Sequence, residues 1–173
     1  MIDLALIWVG IIGLGVLIYV VMDGFDLGIG ILFPFIKDHQ ERDVMMNTVA
    51  PVWDGNETWM VLGGASLYAA FPLAYATVLS ALYLPITFMV VALIFRGVAF
   101  EFRFKATRTK YLWDQAFIWG SILSSFFQGV ILGAYIQGIE TTHGIYSGGA
   151  WDWLTPFSIF SGIGVVAMYA ALG

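Results

Sequence analysis

Long uncharged blocks, separated by short clusters of charge, set the reading of this chain. Leu4 to Met22 runs for 19 residues without a charged side chain. Thr58 to Phe95 does so for 38 residues, Gln115 to Ile139 for 25 and Trp153 to Gly173 for 21. A single helix over the 38-residue block would be about 57 Å long at 1.5 Å per residue, against a hydrocarbon core of about 30 Å. The block therefore folds as two spans, and "AAFPLAY" around Pro72 is the natural turn. Pro85 falls inside the second of these and predicts a kink. The pattern gives four complete spans near 2–22, 54–71, 75–99 and 113–138, with a fifth near 154–173. The fifth span ends the sequence without a polar flank, so a fragment of a longer chain is expected.

Composition turns this pattern into a class. Hydrophobic residues make up 60% of the 173 residues and charged residues only 11%. A soluble domain carries about 25% charged residues, so this chain could not cover an aqueous surface. An all-α polytopic membrane protein is expected, with a first four-helix transmembrane bundle over 1–140, an outward-facing loop over 141–153 and the start of a second bundle over 154–173. The N-terminus carries Asp3 in place of a basic region, and its apolar run exceeds the roughly 7–15 residues of a signal peptide, so it reads as a retained span. With no cysteine, the chain can build neither a disulfide nor a thiolate metal site. The net charge of −5 gives no sign of nucleic-acid binding.

All seven Lys and Arg residues fall on one side of the predicted spans: Lys37 and Arg42 after the first, and Arg96, Arg103, Lys105, Arg108 and Lys110 around the end of the third. By the positive-inside rule the loops 34–53 and 100–112 face the cytoplasm and the N-terminus faces outward. "GFDLG" (Gly24, Gly28) and "GVILG" (Gly129, Gly133) have the small-residue spacing that lets membrane helices approach closely.

Three polar clusters sit at the predicted membrane border. In "MDGFDLGIG", Asp23 and Asp26 share a helix face at i, i+3. Either they mark the interface, with Asp23–Gly24 beginning an exit from the bilayer, or at least Asp26 turns inward to pair with a cation on another helix. In "VWDGNETW", Asp54 and Glu57 have the spacing of a capping box that would start the second span. Capping alone would explain both acids. A carboxyl at the edge of a low-dielectric bundle can also exchange protons. Trp53 and Trp59 fit interfacial belt aromatics. In "FRGVAFEFRFKATRTK", Arg96 needs a carboxylate if it points inward, and Asp26 and Asp114 are the candidates at its depth. Glu101 and Lys105 have the favourable i, i+4 order for an ion pair. Arg103, Arg108 and Lys110 read as positive-inside anchors.

The only two histidines, His39 and His143, lie in predicted loops, so no pair of facing helices offers imidazoles to a haem. The seven methionines are scattered and read as packing residues. No redox metal is expected on this chain.

The stretches "DGFDLGIG", "APVWDGNETW", "FRGVAFEFR" and "YLWDQAF" occur here in the order and spacing that they have in subunit II of cytochrome bd-type quinol oxidases. The resemblance covers essentially the whole sequence, which is similar to the first half of that subunit, about nine spans in two four-helix bundles plus one helix. It implies a subunit of a bacterial plasma-membrane enzyme that oxidises quinol and reduces dioxygen to water, electrogenic without pumping. Haems b and d and the quinol site are then expected in the partner, subunit I, so this chain would ligate no cofactor and hold no complete active site. Some members also hold a structural quinone in this subunit, and a small accessory subunit joins some complexes. The resemblance assigns a proton pathway from the cytoplasm to Asp54, after Trp53, and a second point of uptake to Glu101 and Lys105. The family usually has Asp where Glu101 stands. It assigns support of haem assembly across the interface to Asp26, Arg96 and Asp114. Glu57 matches a Gln-like position in some members.

Read from its residues without the resemblance, the chain would also fit a fragment of a proton-coupled secondary transporter, whose paired acids and Gly-broken helices serve substrate binding. That alternative predicts a colourless protein active without a partner.

Overall fold

The computed structural model describes residues 3–173. The described residues form six α-helices and one minimal hairpin: α1 (Leu4–Leu32), α2 (His39–Val49), α3 (Trp53–Ala70), α4 (Pro72–Arg103), α5 (Lys110–Gln137), β1 (Thr141–Thr142), β2 (Ile145–Tyr146) and α6 (Pro156–Leu172). α1, α4 and α5 are long and apolar enough to cross a bilayer. α3 has 18 residues and α6 has 17. At 1.5 Å per residue these reach about 27 Å and about 26 Å, close to the roughly 30 Å of a hydrocarbon core. The expected all-α membrane architecture is the one observed.

Two predicted breaks have clear causes. α3 stops at Ala70 because Phe71 leaves helical geometry (φ −137°, ψ 63°), and Pro72 restarts the chain as the first residue of α4. Proline suits that position, since its missing N–H would have no helical partner there. Within α4, Leu82 is non-helical (φ −116°, ψ 17°) three residues before Pro85. The proline ring crowds the preceding turn and removes one backbone donor, which kinks the helix.

The first helix differs from the expected span near 2–22. It continues through Asp23, Gly24 and Asp26 to Leu32 and closes with a 3-10 turn at Phe33–Phe35. Gly24 does not end the helix, because the missing side chain is used for packing. A Cβ at Gly24 would collide with the Tyr169 ring, and one at Gly28 would run into the α6 backbone at Tyr169 and Gly173. On α5, a Cβ at Gly129 or Gly133 would strike Ser161, Gly162 or Ser158 of α6. Both G-x-x-x-G motifs thus receive the same helix. α6 packs closely on α5 and α1, and it starts with a true capping box in which Thr155 and Ser158 exchange side-chain and backbone bonds.

Three buried clusters form the core. Ile29, Phe33, Met46, Val49, Ala99, Phe100, Phe117 and Ile118 fill the end that carries the basic residues. Leu27, Ile31, Met89, Leu93 and Tyr169 fill the middle, and Ala81, Leu82, Val130, Ala134 and Trp153 fill the far end. Gln128 links three helices through the middle: it donates to the Tyr19 hydroxyl (2.7 Å) and accepts from the Tyr169 hydroxyl (2.8 Å). At the far end the hairpin turn His143–Gly144 has positive φ at both residues (53° and 78°), as a two-residue hairpin requires.

At the basic end, α2 is tied to the bundle by charge. Asp43 accepts from Arg103 (2.6 Å) and Lys110 (2.9 Å), while Asp114 accepts from the Arg103 Nε and from Arg42 (3.2 Å). Arg103 is fully buried over the Phe33 ring. Its expected role as an exposed anchor is therefore corrected: it sits where two carboxylates and an aromatic face replace its water. Burial pushes the Asp43 carboxyl up, but the hydrogen bonds from Lys110 and Arg103 outweigh this and hold it below the usual value.

Two predictions follow from this packing. Gly133→Val should lower the thermal unfolding midpoint of the detergent-solubilised protein through overpacking strain of about 1–3 kcal/mol, whereas Gly13→Val, with nothing within 4 Å of its added carbon, should not. Because Asp43 has a depressed folded-state pKa, its contribution to holding α2 is complete above the ordinary Asp value of about 3.9 and is lost as pH falls below it. Hydrogen exchange of the α2 amides, corrected for intrinsic rates, should show constant protection at neutral pH and loss in that acidic window. Asp43→Asn should remove this pH dependence.

Candidate functional site

The predicted site residues separate into a buried set and a surface set. Arg96, on the last third of α4, is fully buried together with Asp23 and Asp26 of α1. Its NH1 lies 2.9 Å from Asp23 Oδ1 and 4.0 Å from Glu57 Oε2, and its NH2 lies 3.8 Å from Asp26 Oδ2. Asn56 donates to Asp26 Oδ2 at 2.8 Å. One permanent cation thus faces three carboxyl groups inside an apolar bundle. Several atoms of the cluster make no hydrogen bond despite complete burial: both Asp23 oxygens, Asp26 Oδ1 and the three Arg96 nitrogens. The Arg96–Asp23 contact is an ion pair by distance without the alignment of a hydrogen bond.

Local structure explains how the cluster is assembled. Because α1 stays helical past Gly24, Asp23 and Asp26 project from one face at i, i+3 into the bundle. The exit from the bilayer at Asp23–Gly24 does not occur. α4 approaches α5 at Gly120, where a Cβ would meet the Ala92 carbonyl and the Arg96 backbone, so Arg96 is held against its neighbours. α3 begins at Trp53 with Val52 as its N-cap and no side-chain cap bond. The capping box expected at Asp54 and Glu57 is therefore corrected. Asp54 lies inside the first turn, exposed, where it complements the helix dipole. Glu57, one turn on, points toward Arg96 and keeps about a fifth of its side chain exposed.

Trp53 does not lie free at the interface. It stacks on Phe100 (centroids 5.1 Å apart, planes 16° apart) and covers Gly97. The site reaches the surface beside it through a groove of about 330 Å³ between α3 and α4, lined by Trp53, Glu57, Met60, Leu93, Gly97 and Val98 among others.

Asp114 is buried as expected of an inward acid, but it pairs with Arg103 and Arg42, leaving Arg96 to Asp23, Asp26 and Glu57. Its place one turn into α5 puts it beside the end of α4, while Arg96 lies nearly two turns deeper. Glu101 and Lys105 form the expected i, i+4 pair at 3.5 Å, with side chains 69% and 75% exposed. Such a pair adds little stability. Sequence reasoning misses Asn56, Arg103 and Asp43 as site residues and names Asp23 only as a companion of Asp26. Asp23 and Asn56 lie within the same motifs as the named site residues, and only burial separates them from border polar residues.

His39 opens α2 and His143 occupies the hairpin turn, both exposed. Met46 and Met89 are packed within separate apolar clusters.

The model of the family described as "Cytochrome bd terminal oxidase subunit II" matches residues 4–173. The "Cytochrome bd-I ubiquinol oxidase subunit 2" of Escherichia coli K12 is 34% identical over 178 aligned residues, which cover 98% of this chain and 47% of that protein. The "Cytochrome bd ubiquinol oxidase subunit 2" of Bacillus subtilis 168 is 36% identical over 171, covering 96% and 49%. The "Probable cytochrome oxidase subunit 2" of Haemophilus influenzae is 34% identical over 161, covering 88% and 43%. The chain spans about half the length of these curated relatives. A match across all but the first three residues places this chain in the cytochrome bd terminal oxidase subunit II family.

Proposed function

We propose that this chain works as the non-haem subunit of a membrane quinol:oxygen oxidoreductase, beside a haem-bearing subunit I that oxidises quinol and reduces dioxygen to water. The family match over residues 4–173 carries this reading. It is supported by the chain's own chemistry, which offers ionisable groups near the basic end and places both histidines outside the long apolar helices. The complex would sit in the bacterial inner membrane with the N-terminus outward and the segments 34–53 and 100–112 in the cytoplasm. Protons consumed at the partner would come from the cytoplasm and those from quinol would leave outside, which separates charge without a pump.

In this reading the chain does two things. Its surface acids take up protons. Asp54 is exposed in the first turn of α3, beside Trp53 and one turn from Glu57. Glu101 and Lys105 are exposed at the end of α4. Exposure suits an uptake point, which must exchange with water. Its buried charges, Asp26, Arg96 and Asp114, hold the helices in the arrangement that the partner binds. A buried ion pair contributes little against an apolar substitute, but removing one partner leaves an uncompensated charge costing about 3–5 kcal/mol.

In the complete purified complex, Asp54→Ala should lower oxygen turnover with haem spectra intact, and Asp54→Glu should keep most of it. Unchanged turnover in the alanine variant would leave Asp54 as a helix-terminus charge alone. Arg96→Leu should strand Asp23 and Asp26 and reduce the haem recovered per complex, with Asp26→Asn milder because it keeps an Asn56 contact. Full haem content in Arg96→Leu would remove the supporting role.

A further inference from the structure

One carboxyl in this molecule touches both the surface and the buried ionic cluster, and it is not the exposed acid of the same motif. Glu57 lines the groove between α3 and α4. Its Oε2 lies 4.0 Å from the same Arg96 NH1 that contacts Asp23 at 2.9 Å. Its side chain is 22% exposed, whereas those of Asp23 and Arg96 are fully buried. The charged groups facing it are Arg96 from α4, Asp23 from α1 and, on its own helix, Asp54, while Asp26 of α1 meets the far side of the same guanidinium.

We propose that Glu57 is a proton-exchanging group, through which protons pass from the groove beside Trp53 to the buried carboxyls Asp23 and Asp26.

The chemistry fits this position. Arg96 cannot give up its proton, so it is not itself a relay step. Its fixed positive charge instead stabilises whichever carboxyl is ionised. Transfer runs between the acids: an O–H bond breaks on a hydronium ion at the exposed end of the groove beside Trp53, leaving water, as one forms on the Glu57 carboxylate. That bond then breaks as a proton passes inward to Asp23 or Asp26, and Glu57 returns to its ionised form. The wholly buried oxygens of Asp23 and Asp26 that make no hydrogen bond are acceptors ready for it. Trp53, stacked on Phe100 and lying over Gly97, walls one side of the path. Asp54 collects protons at the surface, and Glu57 is the step after it.

This inference rests on the oxidase reading for its activity readout, though the infrared readout does not depend on it. The test uses the complete complex carrying Glu57→Gln, which keeps the size of the side chain and removes the acid, with Glu57→Asp as the conservative variant. Infrared difference spectra across a pH titration in H2O and D2O should show a carboxylic C=O band in the unaltered complex. That band should be lost in Glu57→Gln and shifted in Glu57→Asp. Oxygen turnover should fall several-fold in Glu57→Gln and recover in Glu57→Asp, with haem content unchanged. An unchanged band and unchanged turnover in Glu57→Gln would overturn the proposal. If Asp54→Ala slows turnover while Glu57→Gln does neither, the oxidase reading stands and the Glu57 step falls. If the unaltered complex takes up no oxygen, the oxidase reading falls and loss or persistence of the band still decides whether Glu57 exchanges protons.

Discussion

Placing the Arg96 guanidinium inside an apolar helix bundle is the constraint to which the rest of the molecule answers. A charge removed from water is tolerable only where opposite charge and hydrogen-bonding groups replace its hydration. Asp23 and Asp26 therefore have to lie inside the bundle, which requires α1 to remain helical through Gly24. Glu57 and Asn56 complete the surroundings, so the start of α3 is fixed against α1 and α4. The glycines then have their use. Gly120 lets α5 approach the backbone of Arg96 itself, and Gly24 and Gly28 let α6 lie over the stretch of α1 that holds the acids.

A second ionic group at the basic end obeys the same rule nearer to water. Arg103 is as deeply buried as Arg96, yet its partners Asp43 and Asp114 are shared with Lys110 and Arg42, which reach the surface. The two groups differ in charge balance. Around Arg103, three cations meet two carboxylates; around Arg96, three carboxyls meet one cation. The first balance suits a structural tie that stays ionised, and α2 is fastened by it. The second leaves carboxyl groups without a cation of their own, which is the condition for binding and releasing protons in a low-dielectric setting.

Between these groups the membrane exposure of the bundle is uneven. The first part of α1 presents Leu4, Leu6, Val9, Leu14 and Val21 outward, and the stretch from Asp23 to Ile31 is enclosed. A helix exposed on all sides is stable in lipid, because every backbone group is satisfied within the helix. α3 packs along α1 from Gly15 and Val16 onward, and the polar side chains Asp23 and Asp26 are hidden where Arg96 of α4 and the close approach of α6 meet α1.

The sequence alone determined the class, the number of apolar segments and the turn and kink at Pro72 and Pro85, because each follows from local rules: hydrocarbon thickness, helix rise and the missing proline N–H. It also carried the family, since four motifs in order are legible without coordinates. Tertiary structure decided what those rules leave open. Gly24 breaks a helix or seats a neighbour depending on whether Tyr169 arrives there, and Arg103 anchors or buries itself depending on where α2 folds back. Asp54 and Glu57 resemble a cap until α3 begins at Trp53 and separates them, one toward water and one toward Arg96. In each case the residue has two low-energy fates of similar local cost. The choice between them comes from partners distant in sequence, whose arrival no local pattern encodes.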